Sequence, residues 1–404
     1  MRVLPSVSPK AALLALNLTA MPFLVACGGS GTDPVVAVPQ STQLSPLAQL
    51  GEKIFNDPTL SSSGQLSCAT CHDKNHAFAS ADDLAVPRGG ATLNIAGTRN
   101  APSLRYLAET TSFFFDDEGT PTGGMNRDGR AKDFAEQAIR PFLSTNEMAN
   151  GTAAAVAAKL SVANYVADFQ TLFGPSVFND ADQAFMDARL ALQAFQRESP
   201  QFAPFSSKYD SFLAGKATFT ARELRGLALF NDPVKGNCAG CHPSGKRAGG
   251  LPPLFTDFTY DNLGVPRNAD IPANADPNYF DLGLCGPARS DLVADHDDLC
   301  GAFKVPTLRN VQLTAPYFHN GKYATLKQLV EFYVRRDTNP EEFYPIGGNG
   351  QPQKFNDLPP RYAINVNTTE VPYNRERGDE PALTPAQIDD VVVFLNTLTD
   401  GYNP

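Results

Sequence analysis

Five stretches of the chain repeat apolar residues at helical spacing, with loop-forming segments between them. The first, L-A-Q-L-G-E-K-I-F, puts Leu47, Leu50 and Ile54 on one face. The second, QAFMDARLALQAFQR at 183–197, predicts an amphipathic helix. In the third, A-R-E-L-R-G-L-A-L-F, Thr220 is an N-cap candidate and Glu223 completes a capping box. The fourth, T-L-K-Q-L-V-E-F-Y-V, opens at Thr325 with Gln328 as its box partner. Leu326, Leu329, Val330 and Tyr333 share its apolar face, so on this pattern alone Tyr333 reads as a core residue. The fifth begins Thr384-Pro385-Ala386-Gln387 and carries a stripe of Ile388, Val391, Val392, Leu395 and Leu398, with Gly401 as its expected C-cap. The 33 prolines and 31 glycines imply long ordered loops between short helices, so the prediction is an all-α fold rich in loop.

One phrase occurs twice. Residues 53–72 read KIFNDPTLSSSGQLSCATCH and residues 228–242 read ALFNDPVKGNCAGCH. Each copy leads from a predicted helix into C-x-x-C-H. The repeat predicts two related domains, 47–205 and 206–404, and the 183–197 helix would end the first.

Lys plus Arg is 33 and Asp plus Glu is 43, a net charge of −10. That balance argues against a nucleic-acid partner, because phosphate binding needs a basic surface. At the N-terminus, AALLALNLTAMPFLVAC follows Arg2 and Lys10; it is too short and too interrupted by Asn17 and Pro22 to span a membrane well. Leu24-Val25-Ala26-Cys27 resembles a bacterial lipobox. It implies a signal peptide at 1–26, lipidation of Cys27, a flexible tether at 27–46, and a periplasmic protein that meets the membrane only through its lipid anchor.

Seven cysteines are present. Cys27 is used by the lipobox. Cys68/Cys71 and Cys238/Cys241 are C-x-x-C pairs followed directly by His72 and His242. Cys285 and Cys300 remain, and in an oxidising compartment they are expected to form a disulfide. Two thiols at i and i+3 are spaced to add to the vinyl groups of a haem, and the next histidine meets the iron. A zinc site would need a second pair nearby, but these pairs are 170 residues apart. A thioredoxin-type pair needs no histidine. Two covalent c-type haems are the expectation.

After C-A-T-C-H come R-N-A-P-S-L at 99–104, D-G-R-A at 128–131, Gln137-Ala138, Pro141 and Glu147-Met148. After C-A-G-C-H comes FKVPTLRNVQLTAPYFHNG at 303–321. From about residue 47 onward this order resembles the bacterial dihaem cytochrome c peroxidases and their relative MauG, which oxidises a partner protein. The resemblance implies two cytochrome c-like domains with one haem each, the first peroxidatic and the second handling electrons. It implies Glu147 as the catalytic carboxylate, Gln137 as a distal glutamine and Pro141 as a pocket residue. Many members carry a distal histidine where this chain reads GGATLNIAGT. An open first iron that needs no reductive activation is therefore expected, with His76 at the surface.

For the second iron, the family's usual methionine is missing: Met1, Met21, Met125, Met148 and Met186 all precede that domain. MauG resemblance places Tyr333 as the ligand instead, with His296 a weaker alternative and His319 a supporting residue. It also implies a calcium ion held by the Asn100 side chain and the carbonyls of Thr314 and Pro316. The family's inter-haem tryptophan is absent; either Arg127 fills its place or the longer loop supplies Phe114 or Phe115.

The function expected is reduction of hydrogen peroxide with electrons from a small periplasmic redox protein, a cytochrome c or a cupredoxin. The alternative is a MauG-like oxidase that modifies a protein substrate through a bis-Fe(IV) state. A third reading, a dihaem electron carrier without enzymatic activity, is disfavoured by Glu147 and Gln137.

Overall fold

The structure is a computed structural model that describes residues 43–403. The expected signal peptide, Cys27 and most of the tether lie outside the described residues. Eleven α-helices are present among them. α1 (Pro46–Phe55) is capped by Ser45, and α2 (Cys68–Cys71) is one turn closed by a Ser67–Thr70 capping box. Then come α3 (Phe134–Gln137), α4 (Ile139–Leu143), α5 (Ala153–Leu160), α6 (Val166–Phe173) and the long α7 (Ala181–Glu198). α8 (Lys208–Leu213) leads to α9 (Ala221–Asn231), α10 (Leu326–Arg335) and α11 (Pro385–Asn396). These last three open with the capping boxes Thr220–Glu223, Thr325–Gln328 and Thr384–Gln387, which satisfy amides that the first helical turn leaves free.

Two sequence expectations change. α11 stops at Asn396 with Thr397 as its cap, so Gly401 lies beyond the helix end. The fold is helical with few strands rather than strictly helical. Three antiparallel ribbons, two residues per strand, close loops: β1 (Arg88–Gly89) with β2 (Ile95–Ala96), β3 (Phe114–Phe115) with β4 (Pro121–Thr122), and β5 (Tyr260–Asp261) with β6 (Phe303–Lys304). Their residues showed too short a run to register as strands.

Two large apolar cores form. One gathers residues from Leu50 to Phe202, chiefly from α1, α5 and α7; the other gathers residues from Tyr209 to Leu398, chiefly from α9, α10 and α11. They are built alike. Gly51 brings α1 against α7 so closely that a Cβ there would lie 1.9 Å from the Ala191 carbonyl oxygen. Gly226 does the same for α9 and α11, where a Cβ would lie 2.1 Å from the Asp390 carbonyl oxygen. One turn on, Phe55 meets Phe195 edge-on at 5.5 Å, and Phe230 meets Phe394 at 5.1 Å. Burying each such ring contributes roughly 1.5–3 kcal/mol.

Polar contacts join the two cores. Arg99 grips both Asp281 oxygens at 2.6 and 2.7 Å and reaches Asp128 at 2.7 Å. Asp400 accepts from the Tyr106 hydroxyl at 2.8 Å and from Asn310 at 2.6 Å. Cys285 and Cys300 are joined by a disulfide, S–S 2.10 Å.

Candidate functional site

His72 leaves α2 with its ring held by the backbone. Its Nδ1–H donates to the Phe78 carbonyl at 2.8 Å. A carbonyl only accepts, so the proton sits on Nδ1 and the Nε2 lone pair is left for a metal. Burial lowers the pKa of His72, which keeps the ring neutral as a ligand must be. The second motif repeats this. Cys238–Gly240 form a single 3-10 turn, and His242 Nδ1–H donates to the Phe255 carbonyl at 2.8 Å. Burial lowers His242 as well.

The two accepting residues share an uncommon backbone. Phe78 has φ 57° and Phe255 has φ 55°, a region that bulky side chains seldom enter. A second repeated phrase supports them. Ser103 Oγ donates to the Ala77 carbonyl at 2.5 Å, and Thr307 Oγ1 donates to the Leu254 carbonyl at 2.6 Å. Each acceptor is the residue before the histidine-holding phenylalanine. The next arginine closes the turn in both copies: Arg105 N and Arg309 N each donate to that hydroxyl at 3.1 Å. A-P-S-L-R at 101–105 and V-P-T-L-R at 305–309 are therefore matching brackets. The sequence reading used only the FNDP…C-x-x-C-H repeat and missed this one, although the signal was present.

Cys68, Cys71, Cys238 and Cys241 are free, partly exposed thiols. At each motif two thiols three residues apart stand beside an imidazole with Nε2 available, a donor set that fits covalent haem. Around the second motif lies a cavity of about 640 Å³, lined by Cys238, Cys241, His242 and Tyr333 among others. That volume is in the usual range of ligand pockets. Phe332 is fully buried in a separate small cluster with Val265 and Tyr344, while Tyr333 packs against the large core and lines the cavity, 5.9 Å from the Phe318 ring and 6.0 Å from the Tyr373 ring. Burial, then Asp261, raises its phenol far above the ordinary range. Proton loss from Tyr333 therefore needs a strong electrophile beside the oxygen.

The other histidines separate clearly. His319 lines the cavity, stacked on Phe303 with ring centres 3.8 Å apart, and burial pushes its pKa down to about 3. His296 stacks on Phe115 at 4.5 Å in the disulfide loop and is not among the cavity-lining residues. His76 is half exposed beside Asp73, 3.4 Å away.

Glu147 is placed by backbone. Its N–H donates to Ser144 O at 3.1 Å, and its carbonyl accepts from Gly90 N at 2.8 Å. Gly89 is needed there, because a Cβ would lie 2.4 Å from the Asn146 carbonyl. Arg140 Nε stands 3.7 Å from Glu147 Oε1. Burial raises the Glu147 carboxyl, while Arg140 and then Arg130 pull it back. Burial, then Glu147, raises the Cys71 thiol, which puts the Glu147 charge within reach of the first motif. Gln137 closes α3, one helical step before Arg140 in α4. Arg140 itself was missed in the sequence, where a lone arginine on a short helix carries no signal. The hairpin β1–β2 occupies the GGATLNIAGT segment and lies against the Glu147 backbone.

The expected calcium set does not fit this geometry. Asn100 Oδ1 accepts from Arg127 Nη2 at 3.2 Å and Asn100 O accepts from Arg127 Nε at 3.3 Å. A guanidinium thus occupies both oxygens of the residue meant to bind the ion. Thr314 and Pro316 do line the same cavity. Arg127 lines it too, whereas Phe114 is exposed and Phe115 stacks on His296.

Comparison with known proteins decides the family. Residues 45–218 match the model of the di-haem cytochrome c peroxidases. The chain is 36% identical to the methylamine utilization protein MauG of Paracoccus denitrificans, covering 89% of this chain and 90% of that one. It is 33% identical to the cytochrome c551 peroxidase of Nitrosomonas europaea, covering 81% and 85%.

The chain belongs to the di-haem cytochrome c peroxidase family.

The peroxidase also resembles a solved structure, the diheme peroxidase BthA of Burkholderia thailandensis, with TM-score 0.81, 40% identity, and 89% and 87% coverage. A tyrosine-to-methionine variant of BthA superposes similarly, with TM-score 0.80, 41% identity, and 88% and 86% coverage. The peroxidase is thus an oxidoreductase with the di-haem peroxidase fold, and its family implies two haem c groups and peroxide as oxidant.

Proposed function

We propose that this peroxidase reduces hydrogen peroxide at its first C-x-x-C-H motif and takes in electrons at its second, with one haem in each of two domains, 47–205 and 206–404. The asymmetry between two like-built motifs carries this reading. Beside the first stands a raised carboxyl, Glu147, with Arg140 at 3.7 Å. Beside the second stands Tyr333, in a half of the chain without methionine.

Cys68, Cys71 and His72 would hold the first haem; Cys238, Cys241, His242 and Tyr333 would hold the second. A haem at His72 supplies the redox chemistry that splits the peroxide O–O bond. Glu147 Oε1 accepts the proton of the inner peroxide oxygen and returns it to the outer one, which leaves as water. Two electrons and two further protons complete the conversion of hydrogen peroxide to two waters. Arg140 holds the carboxylate ready, and Gln137 offers an amide at the end of α3. The electrons come from a small redox protein, a cytochrome c or a cupredoxin. A periplasmic site and a lipid anchor at Cys27 follow from the lipobox resemblance.

The test is peroxide-dependent oxidation of reduced cytochrome by the dihaem protein. Glu147→Gln should keep both haems and lose about 10²–10⁴-fold in turnover. Unchanged turnover removes Glu147 from the reaction. Tyr333→Phe should keep both haems and change the EPR signal of one; an unaltered spectrum removes Tyr333 as a ligand.

A second reading is favoured by Tyr333, since a hard phenolate supports higher oxidation states than a thioether does. It is a MauG-like oxidase acting on a protein substrate. A long-lived oxidised spectrum with little cytochrome consumption would support it, and rapid cytochrome consumption would reject it.

A further inference from the structure

Among the described residues, two cations that line the cavity, Arg127 and Lys304, make no ion pair, although Asp281 and Asp128 lie near enough to attract them. Arg127 donates only to the two oxygens of Asn100, and Lys304 Nζ donates to the Gly124 carbonyl. Their backbones are tied, with Lys304 N donating to Arg127 O at 2.8 Å. Both line the cavity. Three nearby acids are paired with arginines, Asp128 with Arg99 and Arg130, Asp281 with Arg99 and Asp357 with Arg267, while Asp257, Asp261 and Glu370 accept from Thr259 and Asn367. Desolvation is the main cause that pushes Arg127 down to about 10 and Lys304 down to about 8. Enclosed charges are costly unless paired, so this rim is built for an anion.

The chemistry of the site names that anion. Each haem carries two carboxylate arms, and the cavity is where the second haem would lie. A metal ion is the wrong occupant. Calcium needs six to eight oxygens and favours carboxylates. Here the Asn100 oxygens already accept from a guanidinium, and a divalent ion would face two like charges. No cluster of three or more His, Cys, Asp or Glu suited to a metal occurs among the described residues.

We propose that Arg127 and Lys304 are the counter-cations of the haem carboxylates at this rim, and that they stand in place of a metal ion at Asn100. The proposal rests on the dihaem reading above. Haem content, measured separately as the pyridine haemochrome, keeps the two distinguishable: fewer than two haems per chain defeats the dihaem reading.

The experiment uses the haem-loaded protein, soaked in calcium and desalted. Elemental analysis should find no stoichiometric calcium; one retained calcium per chain overturns the proposal. Potentiometric titration supplies the second arm. Lys304→Gln and Arg127→Gln should each lower the midpoint potential of one haem, because removing a nearby positive charge favours the oxidised iron. Arg127→Lys should restore most of that loss. Potentials unchanged in both glutamine variants overturn the proposal. If Arg127→Gln fails to fold, Lys304→Gln and the calcium analysis of the unaltered protein still decide it.

Discussion

The glycines of the repeated helix invite the most direct test of the architecture. Gly226→Ala adds one methyl group on α9, where its carbon would sit 2.1 Å from the Asp390 carbonyl of α11. A relaxed C···O contact is about 3.3 Å, so the helices must part by roughly 1 Å. Helix propensity alone favours alanine by about 1 kcal/mol. Overpacking of this kind costs typically about 1–3 kcal/mol, and backbone on a facing helix cannot swing aside as a side chain can. The cost also reaches Phe230 and Phe394, whose 5.1 Å contact lies one turn away. The expected net effect is a loss of up to about 2 kcal/mol. Gly51→Ala, with its contact of 1.9 Å, should lose at least as much. Urea unfolding of the haem-loaded protein, followed by circular dichroism and the Soret band, measures both. A variant as stable as the parent would show that propensity outweighs the contact, and the close crossing would then be no determinant of the fold.

Two further outcomes can be checked. Glu147 must be deprotonated to accept a proton, so turnover should fall as pH drops through its raised pKa. Arg140→Gln removes the first cation that opposes the rise, and the acid limb should move to higher pH; a fixed limb would show that Arg140 does not act on Glu147. Replacing Cys285 and Cys300 by serine opens a loop of sequence separation 15 and should cost about 3 kcal/mol, read as a lower urea midpoint.

Much of this was legible because it is local. Thr220, Thr325 and Thr384 announced their helices, since a capping box is written within four residues. The haem motifs were equally self-contained. What the sequence hid depends on distance along the chain. Asp390 sits inside an apolar stripe yet is largely buried, because Arg222 and Arg225 reach it from α9 at 2.8 Å. Arg127 was a candidate for the tryptophan's place, but its hold on Asn100, 27 residues away, shows only once the chain is folded. The apolar face of its helix put Tyr333 against the large core, but that the same ring also lines a cavity, and that Phe332 is buried in a second cluster with Val265 and Tyr344, depends on loops far along the chain. The second bracket, Pro-Ser-Leu-Arg and Pro-Thr-Leu-Arg, was visible as letters but meaningless without the carbonyls it holds.

Those brackets have a consequence for how the two centres compare. His72 and His242 each donate the Nδ1–H to the same kind of acceptor, a phenylalanine carbonyl, at the same 2.8 Å. Hydrogen bonding at Nδ1 governs how much electron density the imidazole delivers through Nε2. The molecule therefore carries an internal control: two histidines in one polypeptide held by the same backbone support. On the proposed reading, a difference in potential, spin state or ligand affinity between two haems held there would report what differs around the two histidines, Glu147 near one and Tyr333 near the other.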